Sequence, residues 1–136
     1  IHGDPAGDLL VIGWGSTYGA IVAAVDRLIS EGHRASSLHL RYLNPLPNDL
    51  EACMRSFKTV MCPEMNLGQL ALLLRAKTLI DVKSVCKIQG QPFKEQEIYN
   101  KALALLAGRE IDRFLVPTLE TLGERSTMEP DMLSAG

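Results

Sequence analysis

Cysteine is scarce in this chain: Cys53, Cys62 and Cys86 are the only three among 136 residues, and no two stand in a CxxC pair. An odd set at such spacings supports neither a disulfide framework nor a zinc or iron–sulfur site. The three therefore read as reduced core thiols. Aromatic residues make up only 5% of the sequence, which leaves few stacking platforms for single-stranded nucleic acid. No basic run is present either, because the 14 basic and 16 acidic residues behind the net charge of -2 are scattered along the chain. Nucleic acid and membrane surfaces are thus not expected as partners. The longest apolar stretches, residues 9–12 and 70–74, fall far short of the roughly 20 residues that span a bilayer. With no basic-then-apolar leader at the N-terminus, a soluble cytoplasmic protein is expected. Catalytic signatures are missing as well. GxSxG, HExxH and GxxxxGK[ST] do not occur, and Gly15-Ser16 lacks the glycine two residues beyond the serine that a nucleophile elbow needs.

What remains is the composition of one compact domain: 46% hydrophobic residues in a chain long enough for a continuous core. Residues 1–8 have the look of a linker, as in a C-terminal piece of a longer chain, although trimming of a start methionine fits too. Residues 9–108 form the domain, and 109–136 a C-terminal extension, partly helical or frayed. The apolar run 9–12 reads as a strand buried on both faces. Tyr18, Ile21, Val22, Val25, Leu28 and Ile29 follow at helical spacing, with Ser16 or Thr17 as N-cap and Gly32 as stop. A second strand runs from Ala35 to near Arg41, ended by the two prolines of Leu43-Asn-Pro-Leu-Pro47. Asn48, with Glu51 three residues on, starts a short helix bearing Leu50, Cys53, Met54 and Phe57.

A third strand is expected over 58–62, followed by a helix over 67–79 with Asn66 as N-cap, Gln69 reaching back, and Met65 stapled to Leu70. Residues 82–88 supply a fourth strand, and a last helix carries Ile98, Ala102, Leu105 and Leu106. Leu115, Leu119 and Leu122 offer one more helical stripe. Strand and helix alternate with short connections, which favours right-handed crossovers and an open, mainly parallel α/β sheet flanked by helices.

Two strand-to-helix turns lie on one edge of such a sheet: Leu9-Leu-Val-Ile-Gly-Trp-Gly-Ser-Thr-Tyr-Gly19 and Thr59-Val-Met-Cys-Pro-Glu-Met-Asn-Leu-Gly-Gln69. Ligands and partner surfaces usually dock on that edge. Gly13, Gly15 and Gly19 make GxGxxxG, whereas the dinucleotide fingerprint wants a glycine where Tyr18 stands and an acid where Ala35, Ser36 and Ser37 stand. Arg41 at the end of the second strand can accept a 2′-phosphate, so an independent NADP-type domain built on the Gly13-Trp14-Gly15 turn stays open as the alternative. Otherwise Gly13 and Gly15 permit a tight turn, Ser16 caps a helix, and Trp14 is an anchor at an intersubunit or interdomain contact. Glu64, beside a helix N-terminus, caps that helix or pairs with Arg41; a general base is the other reading.

Val11-Ile-Gly-Trp-Gly-Ser-Thr-Tyr-Gly-Ala20, Leu38-His-Leu-Arg-Tyr-Leu-Asn-Pro-Leu-Pro47 and Glu64-Met-Asn-Leu-Gly-Gln-Leu70, taken in order, resemble a known family, as does Lys87-Ile-Gln-Gly-Gln-Pro-Phe93 with Glu97-Ile98. That family is the C-terminal domain of the alpha subunit of 2-oxoacid:ferredoxin oxidoreductases, the 2-oxoglutarate enzymes in particular. The resemblance covers residues 7–98. It implies a transketolase C-terminal-like fold following a pyrimidine-binding domain of the same subunit. It also implies an enzyme in which thiamine diphosphate, magnesium, coenzyme A and an iron–sulfur cluster support conversion of 2-oxoglutarate to succinyl-coenzyme A, with electrons passed to ferredoxin. Those cofactors are expected in the preceding domain and the beta subunit, none of them in this chain. The expected role is assembly, with Trp14, Ser16, Arg41, Glu64, Asn66 and Gln69 facing neighbouring domains and no catalytic, cofactor or metal residue here. A homodimer of the isolated piece is expected where that edge is left bare.

Overall fold

A computed structural model describes residues 1–41, 46–65, 68–87 and 92–112. Four strands, β1 (Gly7–Trp14), β2 (Ala35–Leu40), β3 (Phe57–Glu64) and β4 (Val82–Cys86), form one all-parallel sheet in the order β2-β1-β3-β4. Between and after them run α1 (Tyr18–Ser30), α2 (Leu50–Arg55), α3 (Gln69–Thr78) and α4 (Glu95–Leu106). The expected open α/β sheet flanked by helices is the fold observed.

Leu9, Leu10, Val11 and Ile12 are all fully buried, as a strand covered on both faces requires. Side chains alternate across the pleat, so Leu9 and Val11 join α1, α4, Met61 and Val85 in one core. Leu10 and Ile12 join α2, α3, Val60, Cys62 and Val82 in the other. The chain leaves β1 toward β2 on one side, then crosses back so that β3 pairs on the other. The topological switch point thus falls between the C-terminal ends of β1 and β3. Pairing of these strands stops at Val11↔Met61, short of Pro63, which has no N–H to offer a ladder. β3 meanwhile stays paired with β4 as far as Glu64↔Cys86.

α1 buries Ile21, Ala24, Val25 and Leu28, a single stripe at helical spacing. It stops at Gly32 (φ +91°), where the Gly32 N–H donates to Ile29 O and the His33 N–H to Leu28 O, both at 3.0 Å. That pair of bonds is a Schellman stop. The other end departs from expectation. Neither Ser16 nor Thr17 caps α1 through its side chain: a 3-10 turn (Gly15–Thr17) leads into the helix, and Thr17 Oγ1 donates back to Trp14 O at 3.3 Å. Nor does Asn48 cap α2, which starts at Leu50 behind Asp49 with no side-chain cap bond.

The expected staple between Met65 and Leu70 is not formed either, because Met65 packs on the α1/α4 core and Leu70 lies in the other. α4 is capped by Glu97, whose Oε1 accepts the Lys94 N–H at 2.8 Å and Lys87 Nζ at 2.7 Å. β4 ends at Cys86 rather than 88, and Ile88 lies outside the described residues. So does the stripe of Leu115, Leu119 and Leu122, together with all of the C-terminal extension beyond Asp112.

At the N-terminus, His2 makes an antiparallel bridge to Ser37, each residue's N–H donating to the other's carbonyl at 2.8 Å, and Ser36 Oγ donates to Asp4 O at 2.7 Å. His2 Nε2 also meets Asp26 Oδ1 on α1 at 2.5 Å. Residues 2–4 thereby shield the outer edge of β2. No helix among the described residues is long and apolar enough to cross a membrane.

Leu79, which closes α3, has φ +59° and is 88% exposed, the one non-glycine residue with positive φ among those described. A branched side chain in the left-handed region costs about 1–2 kcal/mol, of which glycine's extra unfolded-state freedom returns roughly 0.5–1 kcal/mol. Leu79→Gly is accordingly expected to raise unfolding stability by about 0.5–1 kcal/mol in a denaturant titration; a loss of stability would mean that the side chain carries packing.

Candidate functional site

Parallel strands bring their C-terminal ends to one edge, and that edge collects every described candidate. β1 ends in Trp14, Gly15 and Ser16, β2 in His39, Leu40 and Arg41, and β3 in Glu64, with Gln69 opening α3. Trp14 is 47% exposed and paired in register with Leu40. Ser16, Arg41 and Gln69 are exposed. Asn66 lies outside the described residues.

Glu64 is the exception, only 6% exposed. Its Oε1 accepts the Leu70 N–H at 2.6 Å and its Oε2 the Ala71 N–H at 3.1 Å. A carboxylate here satisfies two first-turn donors of α3 and meets the positive end of the helix dipole. The capping role expected for Glu64 is therefore what it performs. The pairing with Arg41 is not made, since β1 separates the two strand ends and both carboxylate oxygens point to α3. Engaged on both oxygens, Glu64 is not poised as a general base. The segment returns to the helix through Gly68, φ +85°, a conformation that glycine adopts without penalty.

Packing accounts for one glycine of the first turn. A Cβ on Gly13 would stand 2.3 Å from Ile21 Cδ1 and 3.1 Å from Thr17 Oγ1, so the absent side chain is what lets α1 lie close on β1. Gly15 has φ +72°. Gly19 has open space around it and meets no such constraint. In the second turn, the Leu70 and Ala71 amides that could meet an anion are taken by Glu64.

The cysteines near the edge are not set up to react. Burial pushes the Cys62 thiol well up, with Glu64 and Cys86 adding to the effect, so it remains protonated. Cys86 Sγ shares a hydrogen bond with Ser84 Oγ at 3.3 Å. Cys62 and Cys86 are buried and Cys53 is only partly so; all three are free thiols. Among the described residues, no three His, Cys, Asp or Glu side chains cluster so as to hold a metal ion.

Two features of the edge escaped sequence reading. Tyr18, 52% exposed, stacks edge-on against His39, ring centroids 4.8 Å apart. The His39 Nδ1 is buried without a hydrogen-bond partner. Beside them, residues 38–41 and 46–48 line an open cavity of about 450 Å³. A histidine in the middle of a strand carries no pattern that announces either.

No protein-family model matches the chain. Curated relatives do. The 2-oxoglutarate oxidoreductase subunit KorA of Mycobacterium tuberculosis is 48% identical over 122 residues, which cover 85% of this chain and 19% of that protein. Subunit alpha of 2-oxoacid:ferredoxin oxidoreductase 2 of Aeropyrum pernix is 39% identical over 101 residues, 72% of this chain and 16% of that protein. The chain thus spans less than a fifth of the length of these relatives.

Solved structures agree. The 2-oxoglutarate:ferredoxin oxidoreductase from Magnetococcus marinus, solved with 2-oxoglutarate, coenzyme A and succinyl-CoA bound, superimposes with a TM-score of 0.72 at 32% identity, over 78% of this chain and 18% of that one. The alpha chain of a probable 2-oxoacid ferredoxin oxidoreductase from Thermoplasma acidophilum gives a TM-score of 0.54 at 29% identity, over 78% of this chain and 94% of that one. By sequence and by fold, then, the chain belongs with the alpha subunits of the 2-oxoacid:ferredoxin oxidoreductases, and it corresponds to one part of that subunit.

Proposed function

We propose that this chain is the transketolase C-terminal-like domain of the alpha subunit, and that it holds catalytic parts of the enzyme in register without reacting itself. The observation that carries this reading is how the sheet edge divides its residues. Glu64, the acid best situated for chemistry, is committed to α3, while the largest side chain, Trp14, stands 47% exposed beside exposed Ser16 and Arg41. An aromatic side chain on a firm strand end is a strong anchor once a partner covers it. The neighbours in this reading are the pyrimidine-binding domain of the same subunit and the beta subunit, with ferredoxin reached through the assembled complex.

The whole enzyme, in this account, converts 2-oxoglutarate to its coenzyme A thioester and reduces ferredoxin. Thiamine diphosphate, magnesium, coenzyme A and an iron–sulfur cluster serve that reaction. The donor sets in the described residues do not fit the diphosphate, the metal or the cluster: the first α3 amides already hold a carboxylate, and no three metal-binding side chains converge. In this reading those groups are held elsewhere in the enzyme. Positioning is contribution enough, because a displacement of about 1 Å at reacting groups can lower a rate about a hundredfold.

The test is direct. Ferredoxin reduction dependent on 2-oxoglutarate and coenzyme A is expected from the assembled enzyme and not from these 136 residues alone. Turnover by the isolated chain would end this reading.

A further inference from the structure

β2 is the outer strand of the sheet on one side and β4 on the other. A bare edge invites pairing with another chain, and a charged side chain, lysine above all, is a common guard. β4 has that guard in Lys83, whose Nζ meets Asp81 at 2.7 Å. β2 does not: Ala35-Ser-Ser-Leu-His-Leu40 holds no Lys, Arg, Asp or Glu. What β2 has instead is the strap of residues 2–4, held in several separate ways. The Ser37 N–H and C=O are both bridged to His2 at 2.8 Å, Ser36 Oγ donates to Asp4 O at 2.7 Å, and the His2 ring reaches Asp26 on α1. Gly3 adds a fit of shape. Its φ is +108°, and a Cβ there would stand 2.6 Å from Ser36 Oγ and 3.1 Å from Ala35 O, so glycine is what lets the strap lie this close.

We infer that residues 2–4 are a clasp that reserves the β2 edge, and that β2 of a second copy of this chain takes their place when the clasp is opened. The occupant follows from the strand itself. In a two-fold antiparallel pairing centred on Ser37, Ser37 faces its own copy and Ala35 faces His39, so no Lys, Arg, Asp or Glu is set against another. The Ser37 N–H and C=O then regain the kind of bonds that His2 gives them, and His2 already pairs in the antiparallel sense. Two four-stranded sheets become one. The clasp concerns the side of the sheet, not the strand ends that carry Trp14, and it stands independently of the assembly role.

His2→Pro combined with Gly3→Val in the 136-residue chain opens the clasp. Proline removes the N–H that bonds Ser37 O and the ring that meets Asp26, while valine collides with Ser36. Residues 1–4 belong to neither core, so the thermal melt is expected to keep its cooperativity; His2→Pro alone is the milder second variant. Hydrogen exchange of the Ser37 amide in dilute solution is expected to rise about tenfold. Sedimentation is expected to show a dimer that grows with concentration beyond any association of the wild type. Adding Ser37→Pro, which removes an outward N–H without touching the ladder to β1, is expected to return the mass to the wild-type value. Unchanged exchange at Ser37 would mean that the strap is not what closes the edge. Faster exchange with no gain in mass would mean that the edge needs no guard, and a dimer that survives Ser37→Pro forms on another surface. Each of these three results overturns the inference.

Discussion

Glu64→Ala should lower the unfolding free energy of this domain by about 2–4 kcal/mol. The substitution strands the Leu70 and Ala71 N–H groups in a buried site, at about 1–3 kcal/mol for each unsatisfied donor, and removes a carboxylate from the positive end of α3. Partial relaxation at the start of α3, which lets water reach one donor, keeps the sum below its upper bound. Against a total stability of about 5–15 kcal/mol the change is large, and it corresponds to a fall in Tm on the order of 10 °C. Glu64→Gln retains one acceptor oxygen but loses the charge and adds an amide that needs its own partners, so about half the effect is expected. Calorimetry of both variants checks the ordering Glu, Gln, Ala. A Glu64→Ala variant that kept its Tm within about 1 °C while the assembled enzyme lost turnover would move Glu64 from the scaffold to the chemistry.

Glu64 also marks where sequence reading stops. Strands and helices were legible because their signals are local. The run Leu9 to Ile12 has no polar residue to place in water, and the Ile21, Val25 and Leu28 stripe has a single helical period. The shared edge was legible too, since parallel strands must end on the same side wherever helices return the chain. What closes those ends was not. Asn66 and Gln69 have the spacing of a capping box, yet the α3 amides turn to an acid six residues before Leu70, brought round through a left-handed glycine at 68. No short spacing encodes that arrangement. It follows from β3 running on to Glu64, which in turn depends on continued pairing with β4.

The same holds for the first turn. GxGxxxG has the outline of a ligand loop, and only the packing of Ile21 onto the backbone at Gly13 reveals a glycine needed for contact between helix and strand. Met65 and Leu70 are correctly spaced for a staple, but Met65, just past the end of β3, packs against the core of α1 and α4, while Leu70, on α3, lies in the other core. The exposure of Trp14 was foreseeable from its place after the apolar run. The cavity lined by residues 38–41 and 46–48 was not, because it draws on two stretches of sequence that share no local pattern.

Trp14→Ala carries the central claim, that this edge joins parts of an enzyme rather than reacting. Removing a half-exposed indole from the isolated fold gives up little buried area, so a stability change within about 1 kcal/mol is expected there. Truncating an aromatic anchor at an interface typically costs 2 kcal/mol or more, roughly thirtyfold in affinity. The decisive measurement is therefore a pair made on one variant: the unfolding stability of the domain, and the dissociation constant of the complete alpha subunit for its partner. The account predicts a near-unchanged first number and a second raised about thirtyfold or more. Equal losses in both, or intact assembly with a weakened fold, would contradict it.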